Sequence, residues 1–177
     1  MIIYKKITKA TYPNLSLQLR GLYLDAFTKG LSAQHITTKD AESYLHELFE
    51  KGYAILGFSE DQVVAALIAT PPSFDEERPS HIKEKYTDTE TLYIAEVLVD
   101  EKFRGRGLGK GLFEEFEATL SPGITHVLLR VWSKNEIAYN LYKSSGFKDC
   151  GSIIQQKFKP ITKAPFEMEK HYMVKSY

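Results

Sequence analysis

One cysteine, Cys150, stands among 177 residues. A lone thiol excludes an intramolecular disulfide and any cysteine-based metal cluster. Surplus charge is missing too: Lys plus Arg and Asp plus Glu number 23 each. No global field therefore advertises nucleic acid or an anionic membrane, and any basic site has to be local. Long apolar runs are absent, none approaching the roughly eighteen residues that a membrane span needs. The opening MIIYKKITKA has no charged stretch leading into a long apolar one, so a secretory signal is not expected and a cytoplasmic, reducing compartment is. His35, His46, His81, His126 and His171 are scattered without ligand spacing, so no metal is expected.

What remains is the composition of an ordinary globule, 43% hydrophobic and 26% charged, at a length that suits one domain over 1–177. No repeat or low-complexity tract interrupts it. IIYKKI (2–7) reads as a strand. Leu15, Leu19, Leu22 and Ala26 recur at helical spacing between 14 and 27, and Ala41, Tyr44, Leu45 and Leu48 do so before Gly52. YAILGF (53–58) and QVVAALIAT (62–70) read as a hairpin, and 71–90 as a long polar loop. TLYIAEVLV (91–99) is a strand, followed by a glycine-rich turn and a helix carrying Leu108, Leu112, Phe113, Phe116 and Leu120. HVLLRVW (126–132) is a strand before the helical SKNEIAYNLYKSSGF, where Ser133 and Glu136 fit a capping box and Gly146 a stop. SIIQQKF (152–158) and MEKHYMV (168–174) close the chain as strands. The order β-α-α-β-β-β-α-β-α-β-β predicts an α/β (α+β) fold with a mostly antiparallel mixed sheet.

The turn VDEKFRGRGLGKGLFEEF (99–116) places glycines and two arginines between a strand and a helix. Glycine lets backbone approach a ligand, and a helix N-terminus attracts anions. The phosphate-loop pattern fails, since Arg104 stands where the first glycine belongs and Gly111 follows Gly109-Lys110. The dinucleotide pattern fails as well, with Lys110 or Leu112 at its last position. Arg104-Gly105-Arg106-Gly107-Leu108-Gly109 does fit [R/Q]-x-x-G-x-[G/A], and so resembles the diphosphate motif of the GNAT superfamily of acyl-CoA N-acyltransferases. IAEVLVD resembles that family's central strand, and NEIAYNLYKSSGF its N-x-x-A-x-x-L-Y-x-x-x-G-F helix. Backbone N–H groups over 105–110, left unpaired at a helix start, suit a diphosphate, and Arg106 adds a charged contact. The alternative is a flexible connection with two solvated arginines.

The resemblance implies the GNAT fold, with a splayed central strand pair and helices on both faces, and acetyl-CoA as co-substrate. Arg104, Gly105, Arg106, Gly107, Leu108, Gly109 and Lys110 would hold its diphosphate. The backbone of Val97, Leu98 and Val99 would pair with the pantetheine arm, and Asn135 would hydrogen-bond it. Tyr142 would sit near the thioester sulfur and protonate the departing thiolate; otherwise it is a core aromatic. Glu96, the one acid in an apolar strand, is the candidate general base, with a structural hydrogen-bonding role as the alternative.

The expected activity is acetyl transfer to a primary amine of a small molecule, by direct attack in a ternary complex. The rival readings are acetylation of a protein N-terminus or lysine, and a non-catalytic acyl-CoA-binding module. Family members that acetylate bacterial protein N-termini often carry glutamate five residues before the asparagine, where this chain has Arg130. Six acids in 71–90 against three basic residues suit a cationic amine, or simply a solvated loop. Tyr44, Phe74, Tyr86, Tyr172 and Tyr177 either line a pocket or pack. The protein is expected to act as a monomer or homodimer without nucleic acid or membrane.

Overall fold

Apolar, β-branched segments pair into one mixed sheet in the computed structural model, which describes residues 1–30 and 32–177. Its strands are β1 (Ile2–Ile7), β2 (Tyr53–Ser59), β3 (Gln62–Thr70), β4 (Thr91–Val99), β5 (His126–Trp132), β6 (Lys148–Phe158) and β7 (Pro165–Ser176). They lie in the order β1-β2-β3-β4-β5-β7-β6, and only the β4–β5 pair is parallel. The expected fold class is the one observed.

Two helices, α1 (Ser16–Thr28) and α2 (Thr38–Lys51), cover one face. Leu19, Leu45 and Leu48 are fully buried there, and burying each such side chain stabilises the fold by about 1.5–3 kcal/mol. Thr37 starts α2 with a capping box, its hydroxyl accepting from Asp40 N while its own N–H donates to the Asp40 carboxylate at 3.0 Å. The segment 71–90 extends cover over the same face. It is not the plain loop expected: it carries a 3-10 turn at Pro72–Phe74 and a short helix, α3 (Ser80–Lys85), whose Ile82 packs with Tyr86, Tyr93, Leu128 and Tyr172.

On the other face lie α4 (Leu108–Ala118) and α5 (Glu136–Ser144), packed over Ile94, Val127, Leu129 and Val131. The expected Ser133 and Glu136 capping box does not form. Asn135 is the N-cap, its Oδ1 accepting from Ala138 N at 3.2 Å. Ile137 of α5 is 86% exposed. The closing hairpin is longer than expected. Lys148–Gly151 pairs with Tyr172–Val174 across a register shift at Cys150, and Pro165–Glu167 pairs with Gln156–Phe158, although their sequences carry no apolar alternation.

Two irregularities of β4 shape the centre of the sheet. Its parallel pairing with β5 runs from Thr91↔His126 to Ile94↔Leu129 and stops, so Ala95–Val99 and Arg130–Trp132 diverge. Against β3, the register jumps from Ile68↔Glu96 to Ala69↔Ile94, which leaves Ala95 as an extra residue, a β-bulge. Before the bulge Leu92 and Ile94 face α4 and α5; after it Val97 and Val99 do. The bulge thus reverses the alternation and turns Glu96 toward α2.

Candidate active site

A cavity of about 460 Å³ occupies the fork between β4 and β5. It draws its lining from both faces of the sheet: Tyr44 and Glu96 from the α2 side, Tyr142 and Val131 from the α5 side. The sequence-predicted residues Glu96, Val97, Asn135 and Tyr142 all meet here.

Glu96 accepts a hydrogen bond from Tyr44 Oη at 2.8 Å. Burial pushes its carboxyl above the usual range, while the Tyr44 hydrogen bond and the nearby Lys170 ammonium pull it down. The net direction is upward, which suits a group that takes a proton. Tyr142 is 7% exposed, packed edge-on to Phe113 at 5.7 Å, and its hydroxyl has no hydrogen-bond partner among the described residues. Burial first, and then the Glu96 charge, raise its pKa above the ordinary phenol range, so it stays protonated.

Val97, Leu98 and Val99 continue β4 beyond its pairing with β5. One backbone edge is paired to β3, down to Ala65↔Val99, and the other faces the fork. At the end of this strand comes the glycine-rich turn. Gly107 caps α4 at φ +80°, and Gly105 has φ +73°, a backbone region that favours glycine. Backbone N–H groups from Gly105 to Lys110 donate no hydrogen bond among the described residues. A Cβ built on Gly105 or Gly107 meets nothing within 4 Å, so the space over these donors is open. Gly109 serves packing instead: a Cβ there would lie 2.8 Å from Leu141 Cδ2, so glycine lets α4 close on α5.

The arginines are held rather than free-swinging. Arg104 Nε donates to the Val99 carbonyl at 3.2 Å, and the Arg106 guanidinium stacks 5.1 Å from the Phe103 ring centroid. Lys110 pairs with Glu114 at 3.6 Å on the surface. Leu108 is buried under the turn. This half of the site fits a diphosphate: open, cationic, and rich in unpaired N–H donors at a helix start. Apart from Val97, it lies outside the cavity.

Lys157 and Lys170 line the cavity without having been expected there, and so does Arg130, which the sequence marks only as a departure from a family pattern. Lys157 and Lys170 stand among the inward positions of the closing hairpin, alongside Gln155, Met168 and Tyr172; that period-two spacing was the available signal. Of the five aromatics considered, Tyr44 alone lines the cavity. Tyr86 and Tyr172 are core, Phe74 packs against Tyr44, and Tyr177 Oη donates to Glu117 at 2.9 Å.

The segment 71–90 supplies no lining residue. Asp75 is consumed by structure: Arg130 Nη1 donates to its two oxygens at 3.1 and 3.3 Å, and Tyr172 Oη donates at 2.7 Å. Closure comes instead from residues 32–36, tied to β6 by a hydrogen bond from His35 N to the Phe158 carbonyl at 2.7 Å. Cys150 lies elsewhere, and burial pushes its thiol up to about 11. Among the described residues, no group of three or more His, Cys, Asp or Glu is placed to hold a metal ion, and no helix is long and apolar enough to cross a membrane.

Residues 17–147 match the model of the Acetyltransferase (GNAT) family. Among solved structures, the fold resembles NAA60 of Arabidopsis thaliana in complex with a bisubstrate analogue, with a TM-score of 0.72 at 17% identity over 99% of this chain and 98% of that one. It also resembles a ribosomal-protein-alanine N-acetyltransferase from Brucella melitensis, with a TM-score of 0.67 at 20% identity over 99% of both chains. A third likeness is the ribosomal-protein-S18-alanine N-acetyltransferase of Escherichia coli, with a TM-score of 0.65 at 16% identity over 99% of this chain and 94% of that one. At these identities the likeness is one of fold.

Proposed function

This chain belongs to the GNAT acetyltransferase family, and from that premise we propose that it transfers an acetyl group from acetyl-CoA to a primary amine of a small molecule, by direct attack in a ternary complex. The observation that carries the reading is that Glu96 and Tyr142, from opposite faces of the sheet, line one cavity at the fork of β4 and β5.

The co-substrate supplies an activated acetyl thioester. The chain's part is to bind, orient and move protons. Backbone N–H groups of Gly105–Lys110 and the side chains of Arg104 and Arg106 hold the diphosphate. The free edge of Val97–Val99 pairs with the amides of the arm, as an added strand would, and the Asn135 amide nitrogen contributes a further donor. The acceptor enters on the α1–α2 side, where Glu96 takes the ammonium proton and leaves a nucleophilic amine. Tyr142 serves the leaving sulfur. Its raised pKa makes complete transfer to a thiolate uphill, so its contribution is a hydrogen bond that tightens as negative charge builds on sulfur. Cys150 takes no part. The protein works in the cytoplasm, as a monomer or homodimer, in this account.

Small acceptors are favoured over protein N-termini by two features. Residues 32–36 bridge to Phe158 and narrow the acceptor side. Arg130 stands where a glutamate is frequent in bacterial protein N-terminal acetyltransferases, its charge already met by Asp75 and Glu77. The test is acetyl-CoA-dependent thiol release over a panel of amino acids, polyamines, amino sugars, aminoglycosides and short peptides. Release with a small amine above the acceptor-free background is the expected result. Release with peptides alone would move the assignment to protein acetylation.

A further inference from the structure

Two of the three cations on the acceptor side of the cavity are paired with no carboxylate among the described residues. Arg130 of β5, Lys157 of β6 and Lys170 of β7 all line it, against the carboxylates of Glu96 and Asp40. Asp40 is engaged with Thr37 in the capping box of α2. Arg130 is matched by Asp75 and Glu77, each at 3.1 Å. Lys157 and Lys170 have neither a hydrogen bond nor an ion pair among the described residues, although both are half-buried. Burial and the Arg130 charge depress both ammonium groups, that of Lys170 to about 8. Two such cations held beside a third cost stability in the empty protein, and an anion in their midst relieves that cost.

Taking the acyl-transfer reading as its basis, we propose that the acceptor is a small amine that also bears an anionic group, a carboxylate or a phosphate, held by Lys157 and Lys170 while its amine faces Glu96. The acids of 71–90 suit either a cationic amine or a solvated loop. Two of those acids are engaged by protein groups, Asp75 by Arg130 and Tyr172 and Glu77 by Arg130 and Gln155, and of the two the Glu77 charge still reaches Lys157 and Lys170. Ammonium and anion would then be read by two groups of opposite sign, which orients the substrate as well as binding it. The role of Lys157 and Lys170 is specificity, since neither needs to touch the reacting atoms.

Trp132, the sole tryptophan, lines the same cavity and reports on its contents. The experiment titrates CoA-saturated protein with matched probes, following Trp132 fluorescence: amino acids against their amides, and O-phosphoethanolamine against ethanolamine. At least one anionic probe is expected to bind about tenfold or more tightly than its neutral twin. The two arms distinguish a carboxylate from a phosphate. Lys157→Gln and Lys170→Gln are each expected to remove that preference while leaving the neutral twin and CoA unaffected, and Lys170→Arg to retain it. Equal binding of the twins, no saturable signal from any anionic probe, or an unchanged preference in both Gln variants would overturn the proposal. Thiol release on the same probes separates the two readings. Anion preference without any acyl transfer would sink the enzymatic reading alone; acyl transfer indifferent to the anion would sink this one alone.

Discussion

Tyr44 of α2 and Glu96 of β4 meet at 2.8 Å, the phenol donating to the carboxylate at the point where the register of β4 breaks. Without the bulge at Ala95, the alternation set by Ile94 would keep Glu96 on the α4–α5 face. The hydrogen bond stabilises the ionised carboxylate, against the burial that raises its pKa. Removing the donor leaves burial less opposed, so Tyr44→Phe is expected to move the acid limb of the kcat/KM–pH profile to higher pH. Glu96→Gln should lower kcat/KM by about 10²-fold or more and abolish that limb. A Tyr44→Phe profile superimposable on wild type would show that Glu96 is not the group titrating.

Tyr142 is expected to act on turnover rather than binding. Tyr142→Phe keeps the packing against Phe113 and Phe147 and removes only the hydroxyl. We expect kcat to fall by about 10²-fold with the acetyl-CoA Kd changed little. Steady-state kinetics alongside calorimetric titration separate the two. An unchanged kcat would remove Tyr142 from the chemistry.

Gly107 has to adopt a left-handed conformation to open α4. A Cβ meets no neighbour there, so Gly107→Ala pays through backbone strain alone, about 1–2 kcal/mol in thermal unfolding. Whatever relaxation follows tilts the N–H groups of the turn, and acetyl-CoA should bind at least about tenfold more weakly. Gly123, also without close contacts but with no positive φ, is the control: Gly123→Ala should leave acetyl-CoA binding unchanged.

Lys170 gives a stability prediction with a definite sign. Its amine titrates at about 8 in the folded protein and near 10.5 when unfolded. Below 8 both states carry the proton, and the folded state bears the full penalty of a half-buried, repelled charge. Between those values the unfolded chain binds more protons, so this group's contribution makes stability rise with pH. Lys170→Met should therefore raise the Tm at pH 7, by an amount corresponding to at most about 3 kcal/mol, and the gain should shrink toward pH 10. A gain that is constant with pH would point to packing rather than charge.

Direct transfer requires no enzyme nucleophile. Cys150 lies off the cavity with its thiol pushed up to about 11 by burial and the Asp149 charge, so little thiolate exists at neutral pH. Cys150→Ala is expected to retain wild-type kcat. A folded but inactive variant would require a covalent route.

Much of this was legible in the sequence because local chemistry dictated it. The strand, glycine turn and helix from Thr91 to Ala118 carry their own signals: apolar continuity, positive-φ glycines and helical periodicity. Glu96 stood out as a lone acid in an apolar strand. Which way it pointed did not, because the bulge at Ala95 depends on pairing with β3, a non-local event. The helix start at α5 was misplaced by two residues, since Asn135 and not Ser133 is its N-cap. Lys157 and Lys170 sit in strands whose polar content hid their inward alternation. The acids of 71–90 suited either a cationic acceptor or a solvated loop, whereas Asp75 and Glu77 anchor that segment to β5 through Arg130.

The most direct test is a crystal structure of the protein with bound CoA. The diphosphate is expected on the N–H groups of Gly105–Lys110, the arm paired to Val97–Val99, and the sulfur within hydrogen-bonding distance of Tyr142 Oη in the cavity that Glu96 shares. A diphosphate on the turn with the sulfur directed away from that cavity, or CoA bound elsewhere, would contradict it.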